Sequence, residues 1–281
     1  MVAVTHNLLL LLCALLAGGE ASATKCLQDR QVAISIDGGP SATTWQLLDA
    51  LKKGNITVLF DIDSERLGWE GTPSIMQSMD RGGHLLGLSL NKGMRINDMS
   101  TEGFQGAVQK RVKDFNAAFG KVPVFLKVPQ DTTAEKIGQL QTAGFLIVSP
   151  GLDLTGVATG NCEATFNTTM PKSALGASSG LVALPDTEGG CAVDEIAKIA
   201  SYAKASGLNI VRMDKCINLE IPYRSNSVQD PINFTFMDFS SPKTSTVDPL
   251  NAQATSDASS LHTGLLGSLL VTVATLLMLL V

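Results

Sequence analysis

Val32-Ala33-Ile34-Ser35-Ile36-Asp37-Gly38-Gly39-Pro40 reads as a strand that stops in a turn. Val32, Ile34 and Ile36 are β-branched, and Asp-Gly-Gly-Pro is turn chemistry. Thr43–Lys53 then sets Leu47, Leu48 and Leu51 at helical spacing, and Ile56–Ile62 forms the next apolar strand. The alternation continues outward. A helix is expected over Ser74–Arg81 and extended chain over His84–Leu90. Thr101–Phe119 is a long amphipathic helix with Phe104, Val108, Val112, Phe115 and Phe119 on one face. A strand over Val124–Val128, a helix over Thr133–Ala143 and strands over Phe145–Ser149 and Leu181–Leu184 follow. A helix over Ala192–Ser206 and a last strand over Leu208–Met213 complete the series. Apolar strands separated by helices predict a parallel sheet or an α/β barrel, with its chemistry at the carboxyl ends of the strands. The chain shows no internal repeat.

Composition narrows the class of function. The chain has 281 residues, 21 Lys and Arg against 26 Asp and Glu, and a formal charge of −5. No basic tract occurs, so nucleic acid is excluded as a partner on electrostatic grounds. Only 17% of residues are charged, much of which is explained by the two ends. Residues 1–23 hold one charged side chain, Glu20, and residues 261–281 hold none.

Those ends read as addresses. The apolar run Leu8–Leu16 is followed by Ala21-Ser22-Ala23, a small-x-small cleavage pattern, so residues 1–23 are expected to be a secretory signal. Leu265–Val281 is an uncharged tail preceded by a polar spacer and by the small residues around Ser256. That order predicts a glycosylphosphatidylinositol anchor attached at Ser256 and holding the protein on the outer membrane leaflet. Ser240–Ser260 is rich in Ser, Thr, Pro and Asp and is expected to be a stalk.

Secretion makes the cysteines disulfide partners. Cys26, Cys162, Cys191 and Cys216 remain after the signal leaves, and four cysteines allow three pairings. Cys26 precedes the first strand and Cys216 follows the last, so a Cys26–Cys216 bridge would close the domain. Cys162–Cys191 would then staple a Gly-rich loop. Sequons stand at Asn55, Asn167 and Asn233.

The strand ends carry a family resemblance. Ser35-Ile36-Asp37-Gly38-Gly39-Pro40 matches a first motif, Thr-Phe-Asp-Asp-Gly-Pro. Gly83-His84-Leu85-Leu86-Gly87-Leu88-Ser89-Leu90, ending at Gly93, matches Gly-His-Glu-Ile-Gly-Asn-His-Thr-x-x-His. Lys127-Val128-Pro129-Gln130-Asp131 matches Arg-Pro-Pro-Tyr-Gly, and Ala183-Leu184-Pro185 matches Leu-x-His. Asp153 stands where a fourth motif would fall. Over residues 30–215 the sequence thus resembles the polysaccharide deacetylase family, carbohydrate esterase family 4, whose NodB-homology domain includes chitin deacetylases. The resemblance implies an α/β fold, a distorted (β/α) barrel of the NodB-homology type. With the reading of the two ends, the expected organisation is a signal over 1–23, a deacetylase-like domain over 24–239, a stalk over 240–256 and a removed anchor signal over 257–281.

The departures from the family fall on its chemistry. The resemblance implies zinc held by the second Asp of the first motif and the two later His of the second. Those positions are Gly38, Ser89 and Gly93. The family's general acid His is Pro185, its base survives as Asp37, and the Arg that partners the base is Lys127. A metal-activated water needs about three protein ligands, so the expected cofactor is none. His84 matches a structural histidine and is expected in the core. Asp37 reads as a turn residue paired with Lys127. Asp61, Asp63 and Trp69 suit a sugar groove, by hydroxyl hydrogen bonds and ring stacking. A Ser89–His84 nucleophile is discounted, because no nucleophile elbow is present.

The expected function is an extracellular, anchored, deacetylase-like protein that lacks metal and binds a polysaccharide such as chitin or glucan. The alternative is an active deacetylase with metal on Asp61, Asp63 or Asp153. A third reading is a metal-free glycoside hydrolase using Asp37 and a second carboxylate.

Overall fold

The computed structural model describes residues 24–157, 161–169, 180–186 and 191–224. The expected signal peptide, stalk, anchor signal, Asn233 and Ser256 lie outside the described residues. No helix among the described residues is long and apolar enough to cross a membrane.

In chain order the elements are β1 (Gln31–Asp37), α1 (Thr44–Gly54), β2 (Leu59–Asp63), α2 (Thr72–Arg81), β3 (Leu85–Ser89) and α3 (Thr101–Phe119). Then come β4 (Val122–Pro123), β5 (Phe125–Lys127), α4 (Ala134–Thr142), β6 (Leu146–Val148), β7 (Leu152–Asp153) and α5 (Cys162–Thr169). The series ends with β8 (Gly180–Pro185), α6 (Ala192–Ala205), β9 (Asn209–Ile210), α7 (Met213–Cys216) and β10 (Tyr223–Arg224).

The main sheet runs β6-β5-β3-β2-β1-β8-β7, with β9 also on β1, and its pairs are parallel. It curls into a half-barrel of the expected α/β kind. Alternation along β1 sorts the core into two clusters. Val32, Ile34 and Ile36 join the cluster packed under the helices, with Leu47, Leu51, Phe104 and Phe115. Ala33 joins Leu59, Leu85, Phe125, Val148 and Leu181 from neighbouring strands on the concave side. Met213, Cys26 and Cys216 plug that side.

Local chemistry sets the helix ends. The Ser100 hydroxyl accepts from Gly103 N at the start of α3, and Gly120 ends it at φ 80. Asn55 closes α1 in the left-handed region and donates to the Leu51 and Lys52 carbonyls. It therefore caps a helix instead of opening β2, which begins only at Leu59. It is also exposed, whereas Asn167 is half-buried on α5.

The last predicted strand requires correction. Leu208–Met213 is extended only at Asn209–Ile210. Met213 instead begins α7, because Met213 and Cys216 turn inward to fill the concave core. The Arg212 guanidinium donates to both carboxylate oxygens of Asp214, at 2.7 and 2.8 Å, and fixes that turn. The sequence reading also missed the antiparallel β4–β10 ribbon. Cys26 is bonded to Cys216, with Cα atoms 4.3 Å apart, and Cys162 to Cys191, at 6.0 Å.

Candidate functional site

β1 delivers Asp37 to the carboxyl end of the sheet, and Gly38 turns the chain at φ 86. The turn is fixed from β8. Asp186 N donates to the Asp37 carbonyl at 2.6 Å. The Asp186 carboxylate accepts from Ser41 Oγ at 2.7 Å and from Thr44 Oγ1 at 2.6 Å. A Cβ on Gly39 would run into that carboxylate, so glycine is required there. Burial pushes the Asp186 carboxyl up, while the Thr44 and Ser41 hydroxyls and the Arg66 charge pull it back. Sequence reasoning missed Asp186. Its one signal was a lone acid directly after an apolar strand.

Lys127, at the end of β5, forms an ion pair with Asp37. The two side chains are only 14% and 11% exposed. Burial lowers the Lys127 ammonium, and the negative charge of Asp153 opposes that shift. The expected Asp37–Lys127 partnership is thus present and largely dehydrated. Removing one member of such a pair costs on the order of 3–5 kcal/mol, because the other charge is stranded.

These residues line a groove of about 590 Å³ across the strand ends. Gly38, Asp63, Ser89, Asn91, Gln130, Asp153, Thr155 and Pro185 share it with Asp37 and Lys127. Asp63 Oδ1 accepts from Glu65 N at 2.9 Å and from Asn91 Nδ2 at 3.1 Å. Asp153 Oδ1 accepts from Thr155 N and Oγ1 at 2.9 and 2.6 Å, and its Oδ2 from Gln130 Nε2 at 3.2 Å. Both carboxylates are aimed by neutral donors.

The other residues expected to shape a sugar groove lie elsewhere. Asp61 is in register with Asp37 and with Gly87, and it is fully buried, outside the groove lining. A Cβ on Gly87 would sit 2.9 Å from Asp61 Oδ1, so the carboxyl occupies space that glycine leaves. Burial raises the Asp61 carboxyl well above the usual range, and the Ser35 hydroxyl pulls it slightly down. Trp69 is also absent from the lining. It is 51% exposed, and the Arg66 guanidinium lies 3.7 Å from its ring centroid.

His84 is a core histidine. Its Nδ1 accepts from Val58 N at 3.3 Å, and its ring stands edge-on to Phe60. Burial and then the Arg212 charge lower its pKa to about 4. It precedes β3, whereas Ser89 ends it, so five residues of extended chain, roughly 16 Å, separate them. No nucleophile–base contact joins them.

The positions that the resemblance assigns to zinc do not fit the metal. Gly38 and Gly93 carry no side chain, and Ser89 offers a neutral hydroxyl. A Cβ on Gly93 would press on Asn91 Oδ1 at 3.2 Å and Glu65 Oε1 at 3.3 Å. Among the described residues no three His, Cys, Asp or Glu side chains gather in a metal-holding group.

Comparison with known proteins bears on the same region. Residues 24–145 match the model of the polysaccharide deacetylase family. A chitin deacetylase of Colletotrichum lindemuthianum is 24% identical over 205 residues, covering 69% of this chain and 82% of that protein. A chitin deacetylase of Pestalotiopsis is 24% identical over 133 residues, covering 46% of this chain and 44% of that protein. Among solved structures, the C. lindemuthianum chitin deacetylase superposes with a TM-score of 0.58 at 20% identity, covering 72% of this chain and 94% of that one. A peptidoglycan N-acetylglucosamine deacetylase gives 0.60 at 20% identity, covering 70% and 92%. The motif-bearing strand ends and the match over residues 24–145 make this chain similar to the polysaccharide deacetylase family, and the solved structures share its fold.

Proposed function

We propose that this protein is an anchored, cell-surface member of its family that has relinquished metal-dependent deacetylation and uses the groove to bind polysaccharide. The observation that carries the reading is the donor set. Gly38, Ser89 and Gly93 stand where three ligands are needed, and Pro185 stands where an acid would protonate the leaving amine. Without metal, water keeps a pKa near 15.7 instead of about 7, so Asp37 has no hydroxide-like nucleophile to help form. What this chain's residues can do is hold a ligand. Asp63, Asp153, Asn91 and Gln130 present hydrogen-bonding groups suited to sugar hydroxyls along one concave surface. The partner in this reading is a polymer such as chitin or glucan, and the expected signal and anchor tail support a position on the outer membrane leaflet.

The test is metal analysis of the intact purified chain, with acetate release from chitin oligomers. The expected result is no stoichiometric zinc, no acetate and measurable oligomer binding. Zinc-dependent acetate release abolished by a chelator would establish the alternative, an active deacetylase with a non-standard metal site.

A further inference from the structure

We infer that the groove selects an amine-bearing, deacetylated polysaccharide over its neutral N-acetylated counterpart. The inference rests on the proposed carbohydrate-binding role and names its ligand class.

The argument is a charge balance. Among the described residues lining the groove, Lys127 is the single basic side chain, and Asp37 already matches it. Asp63 and Asp153 exceed it: Asp153 also feels the field of Lys127, but one ammonium does not balance three carboxylates. Their hydrogen-bond donors are all neutral: a backbone amide and Asn91 for one, Thr155 and Gln130 for the other. Those donors fix the carboxylates without discharging them. Asp37 is 8% exposed, and its Oδ1, the oxygen that Lys127 does not engage, is buried with no hydrogen-bond partner in the described protein. A neutral acetamido sugar leaves this balance unaltered. A glucosamine unit brings an ammonium group that donates charge-assisted hydrogen bonds to carboxylates, and a β-linked run of such units brings them at intervals. Concave walls of low dielectric concentrate the negative field along that path.

The experiment titrates the intact chain with a chitosan hexamer and with a chitin hexamer, by calorimetry near pH 6, where ordinary carboxylates are ionised. Two partly exposed ion pairs predict roughly tenfold tighter binding of the chitosan hexamer. That preference should shrink several-fold between about 0.05 M and about 0.5 M salt. The variant Asp63→Asn with Asp153→Asn should bring the ratio of chitosan to chitin affinity close to one, and a thermal melt checks that it folds. The single variants, each losing part of the preference, provide the same reading should the double variant fail to fold. Chitin bound as tightly as chitosan would overturn the inference and leave the carbohydrate-binding role standing. Failure of both oligomers to bind would overturn that role as well. Chitosan binding that survives in the double variant, or a lysine homopolymer that competes equally well, would overturn the assignment to this groove.

Discussion

Two layers of the same strands behave differently. The lower concave layer holds Ala33, Leu59, Leu85, Phe125, Val148 and Leu181, all apolar and all buried. The layer toward the strand ends holds Ser35 and Asp61 in the interior, then Asp37 and Lys127, with Asp63, Ser89 and Asp153 around the groove. The upper layer lies two to four residues further along these strands. The lower layer stabilises the barrel by removing apolar surface from water. The upper layer contributes little in net terms, since its charges must be paired to be tolerated. A fold divided this way can replace ligand side chains above without losing the core beneath.

The contrast can be broken most severely from below. Phe125→Ala, in the concave core, is expected to cost about 3–5 kcal/mol by urea unfolding, from lost transfer energy plus a cavity. A cost under about 1 kcal/mol would show that the lower layer is not the stabilising one.

Lys127→Met comes next, at roughly 3 kcal/mol, because Asp37 is left charged and nearly dry. Joining it with Asp37→Asn should return most of that loss. A double variant no more stable than Lys127→Met alone would mean that the pair itself, not the stranded charge, matters.

His84 sharpens the comparison through pH. Its folded pKa is about 4 against an ordinary 6.5, so the unfolded chain takes up the proton first as pH falls. Stability is therefore full above about 6.5 and is lost as pH drops toward 4, by up to about 3 kcal/mol. His84→Gln should flatten this part of the stability–pH curve. An unchanged curve would refute a neutral core histidine.

The smallest effect is expected at Asp61. Its carboxyl is raised by burial, so the folded state holds the proton more tightly than the unfolded chain. Stability then falls as pH rises above the ordinary aspartate range, until the folded group itself ionises. Asp61→Asn should remove that slope and gain about 1 kcal/mol at neutral pH, read by thermal denaturation at several pH values.

Helices were legible where the apolar period was long. Thr101–Phe119 coincides with α3 because five apolar residues mark one face over nineteen positions. Two-residue strands such as β4 and β10 carry no period to read. Their pairing depends on contacts far apart in sequence, such as Leu86 N donating to the Tyr223 hydroxyl at 2.9 Å. At the site, motif spacing puts Asp37, Lys127, Asp153, Ser89 and Pro185 at strand ends, and Asp63 was read from the end of its apolar strand. Asp61 was misplaced because strand alternation gives a side chain's face but not its depth. Asp186 was missed because its work, tying Ser41 and Thr44, joins elements about 140 residues apart.

The glycines at 38 and 93 have a historical consequence. An aspartate at 38 would have to adopt a φ of 86, which costs a non-glycine residue roughly 1–2 kcal/mol. A Cβ at 93 would press on the Asn91 and Glu65 side chains, at 3.2 and 3.3 Å, and they would have to give way slightly. Neither change gains affinity for zinc until the others are present. On the proposed reading, a lineage at this sequence would meet a cost at each of these two positions before a metal was held. On that reading the obstacles differ in kind: backbone conformation at 38 and side-chain crowding at 93.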